Sequence, residues 1–427
     1  MLKWIGLDDT DSYSGGCTTW IATRLLIDNI NNVLDFPYLI RLNPEIPWKT
    51  RGNGALALKL RITGEDAELR VKDFILKSSK MEGKTSPGII ICRPKIALDF
   101  FADKALKDIV TKRLLENALS QIQDADIYFI DDRKRGLIGA IAAVSHKWKD
   151  YTYELIAYRS DSGNERAQSL VDVLYLDSFT SPITFLNFDR EEGKPLIYPH
   201  GPDPVLFGIR GEDPNVLMAS FNLISNRAQM WAIFKTNQAT NEHIIPITEF
   251  TFARPYTTVS LTVYLIKEPQ VVRGGHVILQ VKDAKGNSAE AIVYRQTVAL
   301  NRAARELMPG DKLFIWGAVR PDARSLTINI HGFRPISLVQ VEYSLPKCPL
   351  CGRSMRKTNM ATFECERCKT KSHAFAVIPL KRQLLEGKDY LPSPSSFKHL
   401  MKPWSRRPLQ LAFKYSSKYY GSRVSRS

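Results

Sequence analysis

The chain lacks any long apolar run: nowhere do about 18 consecutive apolar residues occur, so no membrane-spanning helix is expected. It opens without the charged-then-apolar stretch of a secretory leader, and cytoplasm is the expectation. Gly-Lys-Ser/Thr is absent at Walker A spacing, which excludes a P-loop. No internal repeat is present, which excludes a solenoid. Cysteine is scarce, six in 427 residues, and four of the six form two CxxC pairs. That usage fits metal binding in a reducing compartment better than a disulfide framework. Acidic residues become rare towards the end. From Lys347 onwards eighteen Lys and Arg face only Glu364, Glu366, Glu386 and Asp389, so fourteen of the sixteen net positive charges fall there. Phe375, Phe397, Trp404, Phe413, Tyr415, Tyr419 and Tyr420 interleave with those cations. Aromatics among cations suit a polyanion such as nucleic acid; a solubilising tail is the alternative, although disordered tails are usually aromatic-poor.

The length suggests roughly two to four domains. Residues 1–110 alternate short strands and helices, with strands at Trp4–Leu7, Tyr38–Leu42 and Ala55–Ile62 and a helix at Trp20–Ile30. Residues 111–250 read as a second α/β unit, with a ferredoxin-like arrangement as the leading expectation and a helix over Asp103–Ile122 bridging the two. Residues 251–342 carry five strand-like segments separated by Gly/Pro/Asn/Asp turns, with a helix near Asn301–Leu307 between the third and fourth. This is the order of an OB-fold, with another small barrel as the alternative. Residues 343–372 hold the cysteine module and 373–427 the basic tail. The fold class expected is therefore a multidomain α+β chain.

Most of the chemistry is concentrated near the start. A short apolar strand runs into Asp8-Asp9-Thr10-Asp11-Ser12, followed by Gly15-Gly16-Cys17-Thr18-Thr19 and a helix. Carboxylates at a strand end suit Mg²⁺, and backbone N–H groups of a glycine turn at a helix start suit phosphate. The competing reading is a solvated strand end with a helix cap. Lys49-Thr50-Arg51-Gly52-Asn53-Gly54 sets two cations beside two glycines, suited to a triphosphate or simply a basic turn. Pro199–Gly211 is a Gly/Pro-dense segment in which Asp203 could receive a cationic ligand. Cys348-Pro349-Leu350-Cys351 and Cys365-Glu366-Arg367-Cys368, thirteen residues apart, supply four thiolates for a closed tetrahedral Zn²⁺ site. In the barrel, Arg273, His276, Tyr294, Arg295, Trp316 and Arg320 are candidates for stacking and phosphate contact.

These motifs resemble the archaeal tRNA(Ile) 2-agmatinylcytidine synthetases. The resemblance rests on Gly6-x-Asp8-Asp9-Thr10-Asp11-Ser12, on Arg41-Leu42-Asn43-Pro44-x-Ile46-Pro47-x-Lys49-Thr50-Arg51-Gly52-Asn53-Gly54, on Gly136-Leu137-Ile138-Gly139-Ala140, and on Gly201-Pro202-Asp203-Pro204-Val205-Leu206-x-Gly208-Ile209-Arg210-Gly211. It also rests on the order of barrel, cysteine module and basic tail. It implies an atypical kinase-like catalytic domain at residues 1–110, and a ferredoxin-like domain at 111–250 that shares an agmatine pocket with it. An OB-fold, a zinc ribbon and a tRNA-binding tail follow. It further implies ATP-dependent joining of agmatine to C2 of the wobble cytidine in a tRNA(Ile) with anticodon CAU, through a C2-phosphorylated intermediate. In that scheme Asp8, Asp9 and Asp11 hold Mg²⁺, and Thr18 acts in catalysis. Ser12, Gly15, Gly16, Thr19, Lys49, Arg51, Gly52, Asn53 and Gly54 bind ATP, and Asp203, Phe207 and Gly208 bind agmatine. The tRNA contacts fall to Arg273, His276, Tyr294, Trp316, Lys398, Lys402, Arg406 and Arg407. The alternative from another class is a non-catalytic single-strand-binding protein built on the barrel and the zinc module.

Overall fold

The computed structural model describes the chain except Arg51, 160–169, His200, 225–227, 322–324, 360–361, Arg407, 409–412 and 424–427. The described residues form a mixed α+β molecule of two compact units. One comprises 1–245, 254–258 and 393–427; the other comprises 246–253 and 259–392. No helix among the described residues is long and apolar enough to cross a membrane.

The first unit is built on one continuous sheet. Its strands are β1 (Leu2–Asp8), β2 (Tyr38–Arg41), β3 (Gly54–Arg61), β4 (Gly88–Cys92), β5 (Ala125–Phe129), β6 (Thr152–Tyr158), β7 (Thr184–Phe185), β10 (Val205–Gly211) and β11 (Met230–Thr236); β8 (Phe188–Asp189) and β9 (Lys194–Pro195) form a separate small hairpin. The order is β5-β4-β1-β3-β2-β11-β6-β10-β7. Every pairing along it that involves β1, β3, β4, β6 or β10 is antiparallel, and β2 meets β11 in parallel. The helices are α1 (Thr18–Asp28), α2 (Glu65–Ser78), α3 (Asp99–Lys107), α4 (Lys112–Gln121), α5 (Arg135–Ser145), α6 (Leu170–Thr180) and α7 (Pro214–Ile224).

Alternation along β1 sorts its side chains to two cores, as the two-residue period of a strand requires. Ile5 and Leu7 pack with Ile21 and Leu25 of α1 and Ile75 of α2. Trp4 packs with Ala140 and Ile141 of α5 on the other face. Gly6 lets α5 lie directly on the sheet, because a Cβ there would be 2.8 Å from Val144 and would meet the Ala140 carbonyl. With both faces covered, β1 is apolar until it reaches its carboxylates.

The sheet runs on past residue 110: β5 pairs with β4, and α5 packs with Trp4 of β1. One expectation is corrected here. The helix expected over Asp103–Ile122 is two helices, α3 and α4. Asp108 accepts from Lys104 at 2.6 Å where α3 ends, and Thr111 caps α4 by accepting from Leu114 N–H at 3.2 Å. The tail also differs from a free basic arm. Residues 420–422 add an antiparallel strand to β11, with Tyr420 paired to Ala232.

The second unit contains a closed five-stranded barrel. Thr258–Leu265 borders Lys312–Val319 on one side and pairs with Val277–Lys282 on the other; Ser288–Val293 and Thr327–Ser337, paired in parallel, complete the ring. Helix Ala299–Ala304 lies between the third and fourth strands in sequence. Cys348, Cys351, Cys365 and Cys368 gather with their sulfurs within 4.8 Å of one another, beside the three-stranded sheet Arg356–Asn359, Thr362–Glu364 and Lys371–Ser372.

Candidate active site

A cavity of about 530 Å³ opens in the first unit where β1 ends. Asp8, Asp9, Asp11, Thr18 and Thr19 line it from the β1–α1 connection, and Lys49, Thr50, Gly52, Asn53 and Gly54 from the loop before β3. The chain turns sharply after β1: Asp9 sits at φ +56°, and Asp9 N–H donates to Asp8 Oδ1 at 2.7 Å. Burial, then the neighbouring Asp9 charge, push the Asp8 carboxyl well above its ordinary pKa. A carboxyl in that state gains most from a cation. Asp9 is taken by the Arg135 guanidinium at the head of α5, with Nε on Oδ2 at 2.9 Å and Nη2 on Oδ1 at 3.0 Å. Arg135 also donates to the carbonyls of Trp48 and Lys84, each at 2.9 Å, and so ties the loop before β3 to the acidic turn. Thr10 donates to Thr18 Oγ1 at 3.0 Å, and Thr50 to Asp11 Oδ1 at 3.3 Å. A Cβ on Gly139 would collide with the Asp8 carboxylate, so the glycine there keeps α5 close to the site. Burial raises the Cys17 thiol pKa, which leaves it a protonated filler at the start of α1.

The opposite wall is a charged network on the adjoining half of the sheet. Glu154 of β6 stands between Arg41 of β2, at 3.6 Å, and Arg210 of β10, at 3.2 Å. Gln238 donates to Glu154 Oε2, and its Oε1 lies 2.9 Å from Nδ1 of His399, which comes from the tail. Burial lowers the pKa of Lys49, whose ammonium donates to the Ile46 carbonyl at 2.9 Å. Asp203, Val205 and Gly208 line the same cavity, and a Cβ on Gly208 would stand 3.2 Å from Glu154 Oε1.

Comparison with known proteins gives this geometry a family. Two family models match, the TiaS TCKD domain over residues 4–69 and the TiaS FLD domain over residues 134–243. The tRNA 2-agmatinylcytidine synthetase TiaS of Pyrococcus horikoshii is 36% identical, covering 94% of this chain and 97% of that protein. The chain belongs to the tRNA 2-agmatinylcytidine synthetase (TiaS) family. Its fold matches a solved complex of TiaS with its isoleucine tRNA and ATP with TM-score 0.83 at 31% identity, covering 97% of this chain and 100% of that one. A complex of TiaS with the same tRNA, AMPCPP and agmatine matches with TM-score 0.81 at 29% identity, with the same coverage.

Not every residue expected of a 2-agmatinylcytidine synthetase lines the cavity. Ser12, Gly15 and Gly16 do not line it: Ser12 bonds Ser14 at 2.8 Å, and Ser12 N–H donates to the Gly15 carbonyl at 2.9 Å, closing a small turn. Phe207 is corrected. Its ring is buried in the core against Phe221, centroids 6.2 Å apart, and Gly208 beside it lines the cavity instead. Arg406 is corrected too, being 2% exposed and committed to Glu212, to both Asp150 oxygens at 2.7 Å, and to two carbonyls. Trp316 is 7% exposed, packed by Phe314 and Gly332, and offers no stacking face. Arg273 is exposed, and His276 and Tyr294 are half-buried in an edge-on pair with centroids 5.2 Å apart. Lys398 pairs with Glu45 at 2.8 Å, and Lys402 lies 3.8 Å from Asp150. Arg51 and Arg407 lie outside the described residues.

Sequence reasoning missed Arg135, Glu154, Arg210 and His399 as site residues. Arg135 heads the glycine-punctuated segment that carries part of the family resemblance. Glu154, a lone carboxylate in an apolar strand, was a usable signal for a buried ion pair. His399 had no sequence signal.

Proposed function

We propose that this chain joins agmatine to C2 of the wobble cytidine of a tRNA(Ile) with anticodon CAU, at the expense of ATP and through a C2-phosphorylated cytidine. The observation that carries the reading is that Asp8, Asp9 and Asp11 share one cavity with Lys49, Thr50 and Gly52–Gly54, in a chain that matches its family over nearly its whole length. We read β1–β5 with α1–α4 as the kinase-like part, and α5, which falls within residues 134–243, as belonging to the ferredoxin-like part although it packs against β1. The strands β6, β7, β10 and β11, in sheet order β11-β6-β10-β7 with α6 and α7, are read as the rest of the ferredoxin-like part. The barrel then corresponds to an OB-fold and the cysteine module to a zinc ribbon.

The C2 oxygen of cytosine is a poor leaving group. Transfer of a phosphoryl group from ATP makes it a good one; the terminal ammonium of agmatine gives up a proton, the free amine attacks C2, the C2–O bond breaks with its oxygen leaving on phosphate, and a second amine proton is released. Asp8 and Asp11 fit a Mg²⁺ ion through their hard oxygens, and the strongly disfavoured charge on Asp8 is what a cation would relieve. When bound, such an ion would neutralise charge on the phosphates. Lys49 and the backbone of Gly52–Gly54 hold the phosphates by position and charge. Arg135 orients Asp9 and lines the same cavity. Agmatine is a dication, and Asp203 offers it a carboxylate on the cavity wall. The four thiols fit structural Zn²⁺ by ligand type and spacing. A tRNA substrate is met in the cytoplasm, which is the compartment this reading gives the chain.

The test is mass spectrometry of digested tRNA(Ile) transcript after incubation with the chain, Mg-ATP and agmatine, with elongator tRNA(Met), which shares the anticodon, as comparison. An agmatine adduct on the isoleucine tRNA alone is expected, and Asp9→Asn or Thr18→Ala removes it while tRNA still binds. No adduct with ATP intact would overturn the reading.

A further inference from the structure

Helix α6 carries apolar side chains on two sides, and only one side is covered. Val173 and Leu176 turn inward and join the core that holds Leu155 of β6 and Leu217 of α7. On the other side Leu170, Val171, Leu174, Tyr175 and Phe179 are exposed, Tyr175 by 61% and Phe179 by 75%. The Tyr175 and Phe179 rings stack on the surface with centroids 6.0 Å apart. Together the five expose roughly 500 Å² of apolar side chain, a patch of the size that marks an interaction site on a soluble protein. None of them lines the catalytic cavity. Alternate residues of β6 face opposite ways: Tyr153, Leu155 and Ala157 belong to the core beneath α6, whereas Glu154 and Ile156 line the cavity. The patch is therefore separate from the site already described.

Chemistry narrows what can cover it. Helices α6 and α7 carry Asp172 and Asp177 and no lysine or arginine, and Arg190 beside α6 is committed to Asp177 at 2.8 Å. A tRNA backbone or an anionic lipid surface is recognised by cations, which this face does not offer. Residues 160–169, which precede α6, include a single apolar side chain, Ala167, and have no matching chemistry to cover it. The face does match itself. On an α-helix Leu170 and Leu174 form one i,i+4 row, and Val171, Tyr175 and Phe179 form the next, with a groove between them that accepts a row of another helix. With Ser178, these positions are symmetric about the Leu174–Tyr175 pair and so have the same spacing from either end. An antiparallel second copy therefore meets the face with an identical face, as an isologous two-fold contact requires. Two such faces in contact cover roughly 1,000 Å², the area at which specific protein interfaces begin. We propose that two copies of this chain associate through the exposed face of α6, the two helices running antiparallel across a two-fold axis.

The test is sedimentation velocity of the purified full chain over a dilution series. It is repeated with Leu174→Glu, with Phe179→Glu and with Phe100→Glu, the last an equally exposed phenylalanine on α3 that serves as control. The wild-type chain is expected to reach twice its own mass at the top of the series and to fall to a single chain on dilution. Leu174→Glu and Phe179→Glu place carboxylates in an apolar contact, and each is expected to raise the dimer Kd at least about tenfold. Both side chains are exposed, so the Tm of the separated chain is expected to stay unchanged, and Phe100→Glu to leave the Kd as it is. Because the contact is apolar, added salt is not expected to weaken it. A wild-type chain that stays single up to about 100 µM overturns the proposal without needing any variant to fold. Growth beyond two copies overturns it too, since a two-fold contact closes. So does a dimer that neither α6 substitution weakens, that Phe100→Glu weakens equally, or that salt dissociates. Mild oxidation of cysteine variants reads the direction, with the unsubstituted chain as blank. Positions 171 and 178 lie about 10 Å apart along the helix, too far for a disulfide within one chain. The double variant Val171→Cys/Ser178→Cys is therefore expected to link two chains, and neither single variant to do so. Linking by the single variants overturns the antiparallel arrangement.

Discussion

At the scale of single residues, the site holds one carboxylate that is difficult to charge, Asp8. Because the folded-state pKa of Asp8 is raised, ionised Asp8 costs stability. That cost is absent below the ordinary carboxylate range, grows as pH rises, and is complete above the folded pKa. Asp8→Asn is therefore expected to raise the Tm of the ligand-free chain by a few degrees at pH 8 and by nothing near pH 4, while abolishing transfer. Thermal scans across that range check it; an equal effect at both pH values would remove the burial argument. Arg135 gives the opposite case. Its removal strands Asp9, which is 6% exposed and whose carboxylate Arg135 bonds twice. Arg135→Ala is expected to lower kcat/KM at least about a hundredfold and to destabilise by about 3 kcal/mol, measured by steady-state kinetics and denaturant unfolding.

At the scale of elements, the tail is the main departure from expectation. Its charge pattern reads as a nucleic-acid arm, yet residues 393–406 and 420–422 are built into the first unit. Ala239 N–H donates to the His399 carbonyl and Asn241 N–H to that of Leu400, both at 2.8 Å; Arg406 is buried; and Tyr420 extends the sheet. Ending the chain after Pro392 is expected to abolish agmatine transfer and to lower the Tm of the first unit, beyond any loss of tRNA affinity. Activity retained with only weaker tRNA binding would restore the simple arm. Arg406→Ala alone leaves Glu212 and Asp150 uncompensated and is expected to cost about 3 kcal/mol in denaturant unfolding.

At the scale of the whole molecule, the positive charge is concentrated towards one end of the chain. Fourteen of sixteen net charges lie beyond residue 346, and part of that charge is spent internally, on Arg382 with Asp311 at 2.7 Å and on Arg406. The salt dependence of tRNA binding is therefore expected to be shallower than eighteen cations would give. A plot of log Kd against log salt measures it, and a slope near that full count would show these ion pairs to be open in the complex.

The sequence by itself determined what is local. The acidic turn after an apolar strand, the paired cysteines and the spacing of the barrel strands each depend on residues close together in the chain. Short-range sterics and ligand chemistry act on them directly. The tertiary structure decided what required distant segments to meet. Glu154, Arg210, Gln238 and His399 form one network although 245 positions separate the first from the last, and nothing in strand or helix periodicity encodes such a meeting. The reversal for Arg406 and Trp316 has the same cause: charge and aromaticity mark a residue as able to bind RNA, but burial settles whether it is available. The continuity of the sheet past residue 110 likewise came from β2 pairing with β11, a parallel contact between strands about 190 residues apart that no local pattern announces.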